Sequence, residues 1–159
     1  MSTCIFPGRF QPFHNGHMLV VQGMIKSCGR AVIVICHNGS DAVNDMFFID
    51  EVREMISASL LEADIVDANI VEVTDSESDS EWADKVLEAA ERPEDPIVWS
   101  GDEDVRALFE GMGVKTQKIV PVPGIVGAEL RELIKADNAE WRTKVPGGSM
   151  DVIWKKFKG

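Results

Sequence analysis

Positive charge is scarce in this sequence. Sixteen lysines and arginines face 27 aspartates and glutamates, a formal net charge of −11 over 159 residues. That balance argues against a nucleic-acid binder, which needs a basic footprint. It also means that an anionic ligand has to be held by cationic groups focused at one place against an unfavourable field. Long apolar runs are missing as well: no stretch approaches the roughly 18 residues that span a bilayer, so no membrane partner is expected. The chain does not open on a basic segment followed by a long apolar one, so no signal peptide is expected and the cytoplasm is the expected compartment. Cysteine is sparse. Cys4, Cys28 and Cys36 are odd in number and lack CxxC spacing, which reads as free buried thiols in a reducing compartment, not a disulfide frame or a zinc site. No internal repeat or long linker divides the chain. With 45% apolar residues, one domain over residues 1–159 with one core is expected.

What is present is alternation. Short apolar runs at 3–6, 31–36, 69–73, 96–100 and 117–122 read as strands, and "AVIVIC" at 31–36 suits a strand buried on both faces. Between them, helical spacing appears over 17–27, 49–63 and 81–91, in "GDEDVRALFEGMG" and over 127–136, with a further short helix within 149–158. Residues 74–81, "TDSESDSE", read as a solvated acidic loop. The pattern predicts an α/β fold, a doubly wound parallel five-stranded sheet of Rossmann-like kind, with a C-terminal helical segment over about 127–158.

Ligands of such sheets bind beyond the carboxyl ends of the strands, where the strand order reverses. The unusual polar residues fall in the turns that open there: "GRFQPFHNGH" at 8–17, "HNGSD" after the second strand, "SGDEDVR" after the fourth and "PGIVGAELR" after the fifth. In the first turn, Gly8 permits close backbone approach and Pro12 stiffens the loop. His14 and His17 are three apart at a helix entry, where amide groups attract anions. No further ligand completes a metal set at familiar spacing, so the two imidazoles read as donors to phosphate oxygens.

These residues resemble a known family. "GRFQPFHNGH" is similar to the signature of archaeal-type nicotinamide-nucleotide adenylyltransferases, within the HxGH nucleotidyltransferase superfamily. "SGDEDVRALFEGMG", "EWADKV" and "WRTKVP…MDVI" extend the likeness along nearly the whole chain. The resemblance implies transfer of AMP from ATP to nicotinamide mononucleotide (NMN), giving NAD and pyrophosphate without a covalent enzyme intermediate. It implies that His14, His17, Arg9 and Arg131 handle the ATP phosphates. Gly8, Phe10, Gly16, Gly101, Asp102, Val126 and Gly127 would shape the rest of the ATP site. Trp82 would stack on the nicotinamide ring, with His37 and Asn38 near the mononucleotide. Mg²⁺ would arrive with ATP, held by phosphates and water and not by protein side chains. Small-molecule nucleotides are the implied partners, and relatives assemble into homo-oligomers. Trp99, Trp141 and Trp154 read as structural, and Arg106 could pair with Asp102 or meet phosphate.

One stretch departs from the family pattern. Where the pattern resembles I-S-[GS]-T-x-I-R, this chain reads "IVGAELR": Val126 stands for serine and Ala128 for threonine, while Gly127 and Arg131 remain. Two alternatives therefore stay open: a related nucleotidyltransferase using another acceptor or nucleotide such as CTP, and a nucleotide-binding homologue without turnover.

Overall fold

The computed structural model describes residues 2–38 and 45–157. The chain forms two compact units: Met1–Arg9, Val20–Ser40 and Asp67–Val120 make the first, and Phe10–Leu19, Asp41–Val66 and Pro121–Gly159 the second.

The first unit carries the sheet. Strands β1 (Thr3–Gly8), β2 (Arg30–His37), β3 (Ala68–Thr74), β4 (Pro96–Ser100) and β5 (Lys115–Lys118) lie in the order β3-β2-β1-β4-β5. Every pairing is parallel, with Ile5 opposite Val32 on one side and Val98 on the other. Because β1 is central, its C-terminal end and that of β4 bound the point where the strand order reverses. The expected burial of β2 is observed, with Ala31 through Cys36 all buried. Helices α3 (Asp79–Ala89) and α4 (Glu103–Gly111) supply Val86, Leu87 and Phe109 to a core shared with Ile5, Val34, Val73 and Val98.

Two helix starts are fixed by capping. Ser78 Oγ accepts the Glu81 amide at 3.2 Å, so α3 begins two residues before the expected point and takes the last acids of the 74–81 loop into its positive end. Asp102 Oδ1 accepts the amides of Asp104 and Val105 at 2.8 and 3.4 Å and starts α4.

Two expectations are corrected. The fifth strand was expected over 117–122 but spans Lys115–Lys118. Pro121 and Pro123 have no amide to donate, and this stops the ladder early. Nor are the three cysteines all free thiols: Cys4 on β1 and Cys28, just past the end of helix α1 (Asn15–Ser27), form a disulfide with Cα atoms 5.8 Å apart. A 24-residue separation conceals that juxtaposition, which arises because the crossover helix returns the chain beside the strand it left. Cys36 is free and buried, as expected.

The second unit is helical. It holds α2 (Ile49–Glu62), α5 (Gly127–Lys135), a short 3₁₀ helix at Ala139–Lys144 that the sequence pattern did not suggest, and α6 (Gly147–Phe157). Helices α2 and α6 cross closely at Gly148, where a Cβ would stand 2.6 Å from the Ser59 nitrogen. Trp141 is buried, whereas Trp154 is 45% exposed with the Arg142 guanidinium 4.6 Å over its ring. Among the described residues no helix is long and apolar enough to cross a membrane.

Candidate active site

The "GRFQPFHNGH" turn does not hang free. From Phe10 onward it is pinned within the second unit at four points. The Gln11 side-chain amide pairs with the backbone of Phe47 twice, donating from Nε2 to the carbonyl at 3.0 Å and accepting the amide at Oε1 at 2.8 Å. Arg131 Nη1 donates to the Gln11 carbonyl at 3.1 Å. Ser149 Oγ, fully buried, donates to the Phe13 carbonyl at 2.7 Å, and Asn15 Nδ2 to the Thr143 carbonyl at 3.2 Å. Phe10 takes a left-handed backbone, φ +55°, and the Gln11–Pro12 bond is cis.

The loop delivers His14 and His17 as a stacked pair. Their ring centroids are 3.5 Å apart with planes 14° off parallel. Each backbone amide donates to the other residue's imidazole: His14 N–H to His17 Nδ1 at 3.1 Å, and His17 N–H to His14 Nδ1 at 3.2 Å. An Nδ1 that accepts carries no proton, so both neutral rings hold theirs on Nε2 and are donors there. Burial lowers the His14 pKa from 6.5 to about 4 and holds that of His17 well below 6.5, with the His14 charge adding to the second effect. Phe10 meets the His17 ring edge-on at 4.9 Å, and Phe13 stacks on it at 5.6 Å. Gly16 is required by this packing, because a Cβ there would lie 2.9 Å from His14 Cε1.

The same unit places Val126, Gly127 and Arg131 at the start of α5. Val126 is the N-cap residue, half exposed and offering no side-chain acceptor or donor to the helix end. Arg131 Nη1 comes within 3.3 Å of where a Gly127 Cβ would be, so a larger residue at 127 would crowd the guanidinium.

The first unit has its own concavity, a cleft of about 570 Å³ at the C-terminal ends of β1, β2 and β4. Gly8, Arg9, Cys36, Asp75, Trp82 and Asp102 line it, together with Ser76 and Asp79. Arg9 Nη2 contacts both oxygens of Asp75, at 3.0 and 2.9 Å. Trp82, in the first turn of α3, meets Phe109 edge-on at 5.8 Å and leaves part of its indole toward the cleft. Burial pushes the Cys36 thiol up to about 11, against the opposing effect of its contact with Trp82, so it is an inert thiol in the wall. Three carboxylates and one guanidinium line the cleft, so its lining is net negative.

Other expected residues fall as follows. Gly101 brings β4 within contact of the Ile119 carbonyl, 3.4 Å from where its Cβ would be. The Arg106 side chain turns to the end of β4, where its Nη1 donates to the Ser100 carbonyl at 2.9 Å. His37 Nε2 lies 3.7 Å from Glu72, and neither His37 nor Asn38 lines the cleft. The part of the loop after β2 that covers residues 39–44 lies outside the described residues. Sequence reasoning passed over Asp75 and Gln11. Asp75 was hidden in an acidic run, although its position one residue beyond β3 was the available signal. Gln11 gave none, because its partner Phe47 is 36 residues away.

A parallel sheet in this order, with a cleft where the order reverses, is a Rossmann-like nucleotide-binding architecture. A family model described as cytidylyltransferase-like matches residues 5–133. The chain belongs to that family, in the branch that holds the archaeal nicotinamide-nucleotide adenylyltransferases. The nicotinamide-nucleotide adenylyltransferase of Pyrobaculum aerophilum is 31% identical, covering 96% of this chain and 88% of its own. That of Methanococcus aeolicus is 32% identical over 92% of this chain and 84% of its own. Among solved structures, a bifunctional NMN adenylyltransferase/ADP ribose pyrophosphatase from Francisella tularensis, complexed with AMP and a manganese ion, matches with a TM-score of 0.76 at 15% identity. The match covers 98% of this chain and 52% of that one, so the chain spans about half of that longer protein, and the likeness is one of fold.

Proposed function

We propose that this chain is a nicotinamide-nucleotide adenylyltransferase: it transfers AMP from ATP to nicotinamide mononucleotide, releasing pyrophosphate and forming NAD, with residues 1–159 working as one catalytic domain. The observation that carries the reading is the stacked His14–His17 pair, whose Nδ1 atoms are both occupied by backbone amides. Two neutral Nε2–H donors from adjacent rings suit oxygens of a phosphate chain. They would strengthen as charge builds on the α-phosphoryl group during in-line displacement. The mononucleotide phosphate forms the new bond to the α-phosphorus, and the bond to the bridging oxygen breaks. Arg131 and the amides at the start of α5 would hold the outer phosphates. Phe10, Gly16, Val126 and Gly127 are further proposed ATP contacts within the second unit; Gly8, Arg9, Gly101 and Asp102 are those proposed within the first.

The acidic cleft fits the second substrate. A pyridinium ring is a cation, and Trp82 offers an indole face for cation–π contact of about 0.5–2 kcal/mol. His37 and Asn38, outside the lining of the cleft, are the other proposed mononucleotide contacts. Mg²⁺ would arrive on the ATP phosphates and neutralise charge there. Among the described residues no group of three or more histidine, cysteine or acidic side chains is placed to cage a metal ion.

One observation favours a second reading. Val126 and Ala128 remove two hydroxyl donors from the start of α5, as a nucleotide binder without turnover would allow. Incubation with Mg²⁺, ATP and NMN decides between them. NAD and pyrophosphate formation, lost in His17→Ala, is the expected result. Tight ATP binding with no product would support the second reading, and product from another phosphorylated acceptor only would refute the choice of NMN.

A further inference from the structure

Gln11 lies between Phe10 and Phe13, whose rings wall His17 on two sides. Its side chain does what a neighbouring β-strand would do. It satisfies both the amide and the carbonyl of Phe47, at 2.8 and 3.0 Å, in the irregular segment before α2. Its own carbonyl is clamped by Arg131 at 3.1 Å. Phe47 is 1% exposed and is itself fixed by the ring of Phe157, 5.9 Å away and nearly perpendicular. Its successor Phe48 donates its amide to Glu51 Oε1 at 2.8 Å, and Glu51 is held by Lys156 at 2.6 Å. Gln11 thus ties a loop with φ +55° at its preceding residue to a rigid anchor built from α2 and α6.

We infer that Gln11 is a positioning residue: its two-point bond to Phe47 sets the Phe10 and Phe13 rings, and through them the reciprocal Nδ1 caps of His14 and His17 that leave the ring proton on Nε2. The primary amide supplies a donor and an acceptor together, as the paired amide and carbonyl of Phe47 require. Gln11→Glu keeps the size and the acceptor but turns a carboxylate oxygen toward the Phe47 carbonyl. Gln11→Ala removes both bonds. The inference rests on the adenylyltransferase reading for its consequence in turnover, not for its geometry.

The test therefore has two readouts: kcat and KM for ATP and NMN, and the imidazole ¹⁵N signals of His14 and His17 in the ligand-free protein. Leu60→Ala, at a buried position of α2 away from the loop, serves as a variant that loses stability without touching Gln11. In both Gln11 variants kcat is expected to fall roughly 10- to 100-fold with little change in the KM for NMN, the size of effect that a displacement near 1 Å produces. The imidazole signals should move from a single Nε2–H form toward a mixture. Leu60→Ala should melt earlier yet keep wild-type kcat and signals. Gln11 variants with wild-type imidazole signals would overturn the inference, as would a loss of kcat that Leu60→Ala reproduces. If the wild-type protein makes no NAD, the proposed function fails, while the imidazole signals still decide the role of Gln11.

Discussion

Replacing Gly16 by alanine should separate activity from stability. A Cβ at residue 16 would stand 2.9 Å from His14 Cε1 and 3.0 Å from His14 Nδ1, whereas ordinary contact begins near 3.4 Å. The ring must retreat by about 0.5 Å to reach ordinary contact. The bond it accepts from the His17 amide is already 3.2 Å long and would be stretched beyond useful range. That costs about 0.5–1.5 kcal/mol of folding free energy. Alanine in the first turn of α1 returns roughly 0.5–1 kcal/mol over glycine, so the two nearly cancel. Catalysis has no such compensation: a misplaced phosphate donor typically costs on the order of 10²-fold in kcat. The expected outcome is a melting temperature within a few degrees of wild type and a kcat for NAD formation reduced about 10- to 100-fold. Thermal melts and initial-rate measurements on one preparation check it. Wild-type kcat in Gly16→Ala, or a stability loss large enough to account for the lost activity, would refute the reasoning.

Three further outcomes follow from the same geometry. Trp82→Ala should raise the KM for NMN about 2- to 30-fold through loss of a cation–π contact of about 0.5–2 kcal/mol while changing the KM for ATP little; Trp82→Phe should recover part of the loss in the same assay. Because His14 is held down to about 4 and His17 well below 6.5, the unfolded chain binds more protons below pH 6.5. The stability linked to these rings is therefore present above pH 6.5 and lost as pH falls through the interval toward 4; urea melts at stepped pH should show that slope, flattened in His14→Gln. Reduction of Cys4–Cys28, which closes a 24-residue separation, should lower stability by about 3 kcal/mol; thiol titration of the unfolded protein should read one free cysteine before reduction and three after it.

Much of the fold was legible because its signals are local. The continuous β-branched run at 31–36 suits a strand buried on both faces, and five short apolar runs separated by helical periods point to a parallel doubly wound sheet. Glycines, histidines and acids in the turns marked the rim for the same reason, since turn chemistry is written in adjacent residues. Trp82 was singled out by the family resemblance, and the fold sets it in the wall of the cleft, in the first turn of α3. Other features depended on partners far away in the chain. Arg9 was read as a phosphate ligand, and the fold gives it Asp75, 66 residues on. Cys4 and Cys28 read as separate thiols, because nothing in their spacing shows that α1 ends beside β1. Gln11 and Ser149 donate to backbone carbonyls at residues 47 and 13, partners that no local pattern names.

The amino-acid order alone thus determined the element types, the parallel sheet and the presence of two imidazoles at a helix entry, since each follows from residues within a turn or two of one another. Tertiary structure alone decided which nitrogen of each ring carries the proton, which carboxylate meets Arg9 and which backbone steadies the loop. Hydrogen bonds act over about 3 Å of space without regard to distance along the chain, and only folding brings those partners into reach.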